Sequence, residues 1–169
     1  MHICVMQHDT SAFDSTSELL KQLGFTIVQQ DLSRPWGGFY VIDESQSADF
    51  AKAFFPEEDF EALKISEKLS PKILMVAPNK RLSWQYHHRR AEIWRCMDGE
   101  VAVATSHTDA EEQKHVLKVG DKIKLAQGQR HRLIGLSGWG IVAEIWQHTD
   151  AANPSDEDDI VRLQDDFGR

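Results

Sequence analysis

Short apolar runs separated by turn signals make up most of the chain from Ser70 onward. The runs ILMVAP, VAVATS, HVLKV and GIVAEIW are rich in β-branched or aromatic residues, and Pro78-Asn79, Asp98-Gly99 and Gly120-Asp121 lie between such runs. Strands of this length at this spacing are typical of a β-sandwich or β-barrel. The pattern therefore predicts an all-β fold for this part of the chain.

The N-terminal part of the chain carries helix signals instead. Ser15-Thr16-Ser17-Glu18 is a capping-box pattern and Gly24 follows an apolar stretch, so a short helix is predicted over Ser15–Leu23. A second short helix is predicted to begin at Pro56 and run through EEDFEALK, because proline suits the first helical turn. A short strand is predicted at His2–Gln7.

Length and composition limit the class of protein. The chain has 169 residues, 41% of them hydrophobic, which is enough for one domain with a substantial core. The net charge of -8, with acidic residues gathered at the C-terminus, argues against a general nucleic-acid binder. No apolar run approaches the roughly 20 residues of a membrane span, and the cysteines lack zinc-finger spacing. We expect a soluble cytoplasmic protein, with no nucleic-acid or membrane partner, in which an N-terminal extension (1–33) packs on a barrel (34–169).

The stretch LSWQYHHRRAEIW, residues 82–94, combines apolar residues typical of a core with a cluster of polar groups. Burying a neutral polar group without a partner costs roughly 2–7 kcal/mol, and a charge costs more, so these groups need water or a bound partner. Alternate residues of a strand share a face, which places Gln85 and His87 on one side and His88 on the other. Glu92 follows a predicted corner of the chain. The side chains of Gln85, His87 and Glu92 are therefore predicted to converge.

The spacing of these residues resembles a known pair of motifs. The first segment reads Gln-x-His, four residues, Glu, six residues, Gly; the second reads Gly, five residues, Ala, one residue, Gly, two residues, His131. The two segments resemble the signature motifs of the cupins, which hold a divalent metal through His, His, Glu and His. Gln85 stands where the first His is usual, and Ala126 replaces the usual proline. The resemblance implies a cupin-type double-stranded β-helix barrel (jelly roll) with short N-terminal helices, and metal ligation by Gln85, His87, Glu92 and His131.

Longer sequence words narrow the resemblance. RPWGGFYV, RLSWQYHHRRAEIW, GQRHRL and SDEDDIVRLQDDFGR are similar to the C-terminal cupin domain of type II phosphomannose (mannose-6-phosphate) isomerases, across residues 34–169 with gaps. In that family Gln takes the first ligand position, and Arg90 matches the Arg of an Arg-Ala-Glu word that isomerase activity needs. A nucleotidyltransferase domain precedes the cupin in those enzymes; this sequence lacks its Gly-rich loop, so we do not expect guanylyltransferase activity. The resemblance also implies a homodimer and a C-terminal tail that folds back on the barrel.

The ligand chemistry agrees with that resemblance. Oxygen and imidazole ligands suit Zn²⁺, Fe²⁺, Mn²⁺ or Ni²⁺, and we expect one divalent ion per chain, with Zn²⁺ as the first choice. A Lewis acid beside a developing oxyanion assists the interconversion of an aldose and a ketose. A substrate phosphate needs cations, and arginine is the best planar partner. The predicted substrate-binding residues are basic side chains that flank the ligands in the sequence: Lys80, Arg81, Arg89, Arg130 and Arg132.

Several functions are compatible with these residues. The leading prediction is a metal-dependent sugar-phosphate isomerase that converts mannose-6-phosphate to fructose-6-phosphate, with Arg90 and His88 as catalytic candidates; a heptose or pentose phosphate is an alternative substrate. The general base stays open between His88, Glu144 and a metal-bound hydroxide. A second hypothesis is a non-catalytic cupin that binds a sugar or sugar phosphate, and a third is an iron oxygenase. Single histidines and arginines are more often structural or solvated than functional, so these assignments depend on the combined spacing.

Overall fold

The computed structural model describes residues 11–168, and strands dominate it from Ile27 onward. The helices are α1 (Ser11–Gln22), α2 (Ser47–Phe54) and the single turn α3 (Phe60–Leu63), with a 3₁₀ turn at Glu44–Gln46. The strands are β1 (Ile27–Arg34), β2 (Gly37–Ile42), β3 (Lys72–Val76), β4 (Trp84–Tyr86), β5 (Arg90–Asp98), β6 (Glu100–Ser106), β7 (Gln113–Lys118), β8 (Lys122–Leu125), β9 (Arg130–Gly135), β10 (Gly140–His148) and β11 (Val161–Gln164).

The strands form two antiparallel sheets. The larger has six strands in the order β1-β2-β3-β10-β5-β8, and the smaller has five in the order β11-β4-β9-β6-β7. Strands that are distant in the sequence are neighbours in both sheets, as in a jelly roll. The prediction of an all-β fold with short helices is confirmed.

The central strands of the larger sheet are buried on both faces. On its outer face Ile73, Ile93 and Ile145 belong to a cluster that includes Leu20 of α1 and Phe50 of α2. Its inner face packs against the smaller sheet in a second apolar cluster, which includes Leu74, Trp94, Val103, Leu133 and Val142. Burial on both faces explains why β3 and β10 read as nearly continuous apolar runs rather than alternating ones. Polar side chains on the inner face are therefore enclosed between the sheets.

The helix predictions are partly correct. The first predicted helix is present but begins at Ser11 rather than Ser15 and ends at Gln22. The helix predicted from Pro56 is reduced to α3, where Asp59 caps the single turn by accepting a hydrogen bond from the Glu61 amide. Helix α2, which was not predicted, packs its aromatic residues into the outer cluster. The strand predicted at His2–Gln7 lies outside the described residues.

Both ends of the described chain are tied to the barrel. The predicted boundary at residue 33 falls inside β1, the edge strand that pairs with β2. Helix α1 packs Phe13 against Trp139 with ring centroids 5.1 Å apart. At the other end β11 pairs with β4, so the prediction that the tail folds back on the barrel is confirmed. No helix within residues 11–168 is long and apolar enough to cross a membrane.

Candidate metal centre and its cavity

Three predicted ligands meet between the two sheets. His87 follows β4, Glu92 lies on β5 and His131 on β9, and one candidate ligand atom from each lies within 4.8 Å of the others. Glu92 Oε1 is 3.3 Å from His87 Nε2, and Glu92 Oε2 is 3.4 Å from His131 Nε2. All three side chains are buried, with at most 3% of the side chain exposed. Sequence alternation had placed His87 and Glu92 together, and pairing of β4 with β9 brings in His131.

Backbone carbonyls fix the orientation of both imidazoles. His87 Nδ1 lies 2.7 Å from the Asp159 carbonyl oxygen, and His131 Nδ1 lies 3.0 Å from the Gln129 carbonyl oxygen. A carbonyl can only accept, so each Nδ1 carries the proton and each Nε2 turns its lone pair toward the site. Burial lowers the pKa of His87 to about 4, with smaller contributions from the charges of Arg90 and His131. His87 is therefore a neutral imidazole in the form that binds metals.

Two acceptor atoms of this cluster have no hydrogen-bond partner. Glu92 Oε2 and His131 Nε2 are buried and unpaired within residues 11–168, and each faces the other with a lone pair. Burial opposes ionisation of Glu92, but the charge of Arg90 holds its pKa well below the usual range, so it is a carboxylate. Two buried acceptors this close require a shared cation or proton. Two imidazoles and a carboxylate therefore fit a divalent metal ion.

Gln85 lies beside this set but is engaged elsewhere. It lines the same cavity as Glu92, and it pairs with His131 between β4 and β9. Its amide oxygen accepts a hydrogen bond from Ser83 Oγ at 2.7 Å. Ligation by Gln85 stays a prediction.

Arg90 is held tightly against the ligand atoms. Its Nε donates to Glu92 Oε1 at 2.8 Å, and its Nη2 lies 3.2 Å from His87 Nε2. Its Nη1 donates to Ser155 Oγ at 3.1 Å, and the guanidinium stacks 3.5 Å from the ring centre of Trp146. The predicted catalytic arginine thus places positive charge directly beside the candidate metal site.

A cavity of about 80 Å³ opens beside this cluster on the inner face of the larger sheet. Four of its lining residues are cations that come from different parts of the chain: Arg34, Lys72, Arg90 and Arg162. Its apolar wall includes Trp36, Phe39, Trp94 and Trp146. The cations exceed by one the three carboxylates that also line it: Glu92, Glu144 and Glu157. An aromatic-walled cavity with this small positive excess, next to a metal site, suits a small anion that also carries hydroxyl groups.

Glu144 is a second buried carboxylate in the cavity wall. Its Oε2 accepts from Trp94 Nε1 and its Oε1 from Trp146 Nε1, each at 2.7 Å. Burial, reinforced by the negative charge of Glu92, raises the pKa of Glu144 to about 7. The nearby ammonium of Lys72 is instead paired with Glu157 at 2.8 Å.

Three of the predicted substrate-binding arginines are paired with protein groups outside the cavity. Arg81 pairs with Asp166 through two hydrogen bonds of 2.7 and 2.9 Å. Arg130 pairs with Asp109 at 2.8 Å. Arg132 is 1% exposed and donates to the Leu82 carbonyl, Glu111 and Gln164. None of these three arginines lines the cavity.

The remaining predicted residues also point away from the cavity. Lys80 is exposed, and Arg89 lies at the surface near Asp156 and Asp159, at 3.7 and 3.9 Å. His88, predicted as a catalytic candidate, is exposed with its ring against Tyr86. The cause is local: neighbouring residues of an extended segment face opposite sides, so a residue adjacent to a ligand in sequence is directed away from it. The geometry gives no support to these assignments.

Sequence reasoning missed the cations that do line the cavity. Arg34, Lys72 and Arg162 lie on β1, β3 and β11, far from the ligand motifs in the sequence. One signal was available for Lys72, which is the single charge in the otherwise apolar run KILMV. A lysine within a strand buried on both faces needs a local partner, and such residues are worth examining as parts of a site.

A family model covers most of this architecture. Residues 45–165 match the family described as mannose-6-phosphate isomerase C-terminal. The match includes the four predicted ligands, Arg90, Glu144 and Arg162, and leaves out Arg34.

Curated relatives are more distant. The chain is 26% identical over 125 residues to the alginate biosynthesis protein AlgA of Pseudomonas aeruginosa, covering 74% of this chain and 24% of AlgA. It is 26% identical over 125 residues to the xanthan biosynthesis protein XanB of Xanthomonas campestris pv. campestris, covering 74% of this chain and 25% of XanB. The chain thus spans about a quarter of the length of these relatives.

Solved structures share the fold. The capsular polysaccharide assembling protein CapF from Staphylococcus aureus superposes with a TM-score of 0.53 and 12% identity, over 80% of this chain and 34% of CapF. An oxalate decarboxylase superposes with a TM-score of 0.54 and 15% identity, over 80% of this chain and 30% of the decarboxylase. With the strand order described above, these likenesses confirm the predicted cupin-type barrel.

Proposed function

The chain belongs to the mannose-6-phosphate isomerase C-terminal family, and on that premise we propose that it is a metal-dependent sugar-phosphate isomerase. Conversion of mannose-6-phosphate to fructose-6-phosphate is the first reaction to test. One observation carries the proposal: a buried His–Glu–His set with unpaired acceptor atoms adjoins a cavity lined by four cations. The relatives named for alginate and xanthan biosynthesis support a substrate from sugar metabolism.

In this proposal His87, Glu92 and His131 hold one divalent ion, and Gln85 supplies a further oxygen ligand. Zn²⁺ is the first candidate, with Fe²⁺, Mn²⁺ and Ni²⁺ as alternatives for an oxygen and imidazole donor set. A bound ion would supply Lewis-acid polarisation of adjacent sugar oxygens. Backbone carbonyls orient the two imidazoles, which prepares the site before the ion arrives.

The phosphate end of the substrate needs free cations in the same cavity. Arg162 is exposed, lines the cavity, and forms no salt bridge within residues 11–168. Arg34 also lines the cavity, and its Nε pairs with Asp31 Oδ2 at 2.9 Å. We assign phosphate recognition to Arg162 and Arg34, because guanidinium groups bind phosphate oxygens in a bidentate manner. In this proposal they take the place of the basic residues that flank the ligand motifs in the sequence, which do not line the cavity.

Arg90 has a different place in the proposal. Its guanidinium touches both Glu92 and His87, so it lies where negative charge would develop on a substrate oxygen near the ligands. Stacking on Trp146 and hydrogen bonding to Ser155 hold it in that position before substrate binds. A preorganised positive charge of this kind stabilises a transition state more than a mobile one.

A panel assay tests the proposal. Protein loaded separately with Zn²⁺, Fe²⁺, Mn²⁺ or Ni²⁺ is mixed with hexose, heptose and pentose phosphates, and the ketose product is measured by a coupled reaction. We expect turnover of at least one phosphorylated aldose, loss of turnover in His131→Ala, and a raised KM in Arg162→Ala. Arg81→Ala removes a surface arginine outside the cavity and serves as the matched control. Absence of turnover with every metal and sugar would overturn the isomerase proposal.

A non-catalytic sugar-phosphate binder is the second candidate, and the contacts of Arg90 favour it. The Arg90 guanidinium already donates to Glu92 and Ser155, so it is engaged by protein groups rather than open to a reacting substrate oxygen. A binder would show heat on calorimetric titration with sugar phosphates and no product in the coupled assay. If a sugar phosphate both bound and was converted to product, the non-catalytic binder would be excluded.

A further inference from the structure

Glu144 is a buried carboxylate that its surroundings do not neutralise. It lies on β10 with 4% exposure, and no cation within residues 11–168 forms a salt bridge with it. Both oxygens accept indole N–H bonds, from Trp94 and Trp146. Burying a carboxyl group is costly, and an apolar residue in its place would fill the barrel without that cost. A group kept in the core at such a cost is a candidate for chemistry.

The register of the larger sheet places Glu144 close to the metal ligands without making it one of them. On the paired strands Glu144 is opposite Trp94, and Trp146 is opposite Glu92, so the two glutamates are diagonal neighbours on one face. Diagonal neighbours in a sheet have Cα atoms roughly 7–8 Å apart. Both glutamates line the cavity. The Glu144 carboxylate and the ligand set therefore face one cavity.

We propose that Glu144 is the catalytic residue that carries the proton between C2 and C1 of the substrate, an inference that rests on the isomerase function proposed above. The Glu144 carboxylate takes the proton from C2, and the electron pair of that C–H bond forms the C1–C2 double bond as the aldehyde oxygen gains the negative charge. The hydroxyl proton at O2 then moves to O1, the C2 carbonyl forms, and the C1–C2 pair takes the proton from Glu144 at C1. The carboxylate is regenerated, and no external oxidant or reductant is needed.

The indole donors explain how one side chain could serve both carbons. Two indole N–H groups, each at 2.7 Å, bind the two carboxylate oxygens and hold the side chain in one orientation. A carboxylate fixed in this way can face two adjacent carbons without moving. Proton transfer by a positioned carboxylate contributes roughly 10²–10⁴-fold to rate.

Substitution of Glu144 in the full chain tests the assignment. Glu144→Gln keeps the size of the side chain and cannot accept a proton, so we expect kcat to fall roughly 10²–10⁴-fold. Metal content and calorimetric affinity for the sugar phosphate should stay close to those of the wild type. The melting temperature should fall, because the new amide nitrogen cannot accept the indole N–H bond that one Glu144 oxygen accepts. Glu157→Gln removes another carboxylate from the same cavity wall, and we expect a loss of less than about ten-fold. In heavy water the wild type should place deuterium at C1 of the product, and Glu144→Gln should not.

The outcomes separate this assignment from the proposed function. If the wild type turns over a sugar phosphate and Glu144→Gln retains kcat within about ten-fold, the Glu144 assignment is wrong and the isomerase stands. If the wild type turns over no sugar phosphate, both are overturned. Should Glu144→Gln fail to fold, Glu144→Asp keeps the charge and the indole acceptors but withdraws the carboxylate from the cavity. An unchanged kcat in Glu144→Asp would also overturn the assignment.

Discussion

Asp159 offers the sharpest test of how the tail supports the metal site. Its carboxylate accepts the backbone N–H groups of His88 and Arg89, each at 3.0 Å, and the Ser155 hydroxyl at 2.6 Å. Its own carbonyl oxygen accepts His87 Nδ1–H at 2.7 Å. One tail residue therefore fixes both the corner between β4 and β5 and the orientation of a predicted ligand.

The expected loss of stability in Asp159→Ala follows from those contacts. Asp159→Ala removes three hydrogen bonds to a buried carboxylate and leaves two backbone N–H groups to find other partners. Hydrogen bonds to charged groups contribute roughly 1.5–3 kcal/mol each, and the desolvation saved when a buried carboxylate is removed offsets part of the sum. We expect the free energy of unfolding to fall by about 3–5 kcal/mol. Because the backbone that orients His87 loosens, metal affinity should fall about 10–100-fold, as for other residues that orient a ligand.

Urea denaturation without metal and Zn²⁺ titration by calorimetry measure the two effects separately. Asp158→Ala is the matched control, since Asp158 is the exposed neighbour and its carboxylate accepts no hydrogen bond within residues 11–168. The reasoning would be refuted if Asp159→Ala unfolded within about 1 kcal/mol of Asp158→Ala, because single hydrogen bonds already exceed that value for charged acceptors. A Zn²⁺ affinity equal in the two variants would separately show that the tail does not orient His87.

Further predictions concern the metal, the turns and the tail. Elemental analysis of protein incubated with Zn²⁺ should find about one ion per chain, and none in the double variant His87→Ala/His131→Ala, because a structural or catalytic zinc needs at least three protein ligands; a full complement in the double variant would place the ion elsewhere. Gly99→Ala should lower the free energy of unfolding by more than Gly120→Ala, as measured in urea: both glycines have positive φ (68° and 93°), but only at Gly99 would a Cβ lie 2.2 Å from a backbone oxygen. The strain of the φ angle alone is about 1–2 kcal/mol, and equal losses would contradict the clash. Hydrogen bonds from Arg81 hold the pKa of Asp166 below the ordinary 3.8. A carboxyl group whose pKa is lowered by folding stabilises the fold at pH values above its pKa in the unfolded chain. Asp166→Asn should therefore lower the free energy of unfolding at neutral pH, by less than about 1 kcal/mol for this half-exposed pair. The difference in stability between the wild type and Asp166→Asn should shrink as the pH falls below 3.8, as measured by thermal unfolding in acid. A difference that grew at low pH would contradict a lowered pKa of Asp166.

The sequence could predict the metal ligands whose positions depend on the alternation of side chains between the two faces of a strand. Gln85 and His87 are two residues apart, and Glu92 lies on the next strand of the chain, so a period of two directs all three inward. The spacing of the second motif added His131, and the structure brings its Nε2 to 3.4 Å from Glu92 Oε2. Such predictions need only the local period and one turn between strands.

The substrate side of the cavity could not be predicted in the same way. Arg34, Lys72 and Arg162 reach one cavity because β1 and β3 share the larger sheet while β11 closes the smaller one beside β4. That strand order results from long-range pairing, which the hydrophobic pattern of a single strand does not encode. Arginines next to a ligand in the sequence were predicted to bind substrate. The same alternation directs them outward, as for Arg130 beside His131.

The acidic composition of the C-terminal tail predicts exposed carboxylates, but it does not predict the buried Asp159. Several of its carboxylates are exposed, as a solvated segment predicts, yet Asp159 is 4% exposed and contacts the backbone beside His87. Its pKa is lowered even though burial would raise it, because Ser155 and two backbone amides donate to its oxygens. Most of the tail carboxylates are thus solvated, whereas the buried Asp159 orients His87. Since Arg90 donates to Ser155 as well, the tail, the candidate catalytic arginine and the metal site form one connected hydrogen-bond network, and a change in any of the three should be felt by the other two.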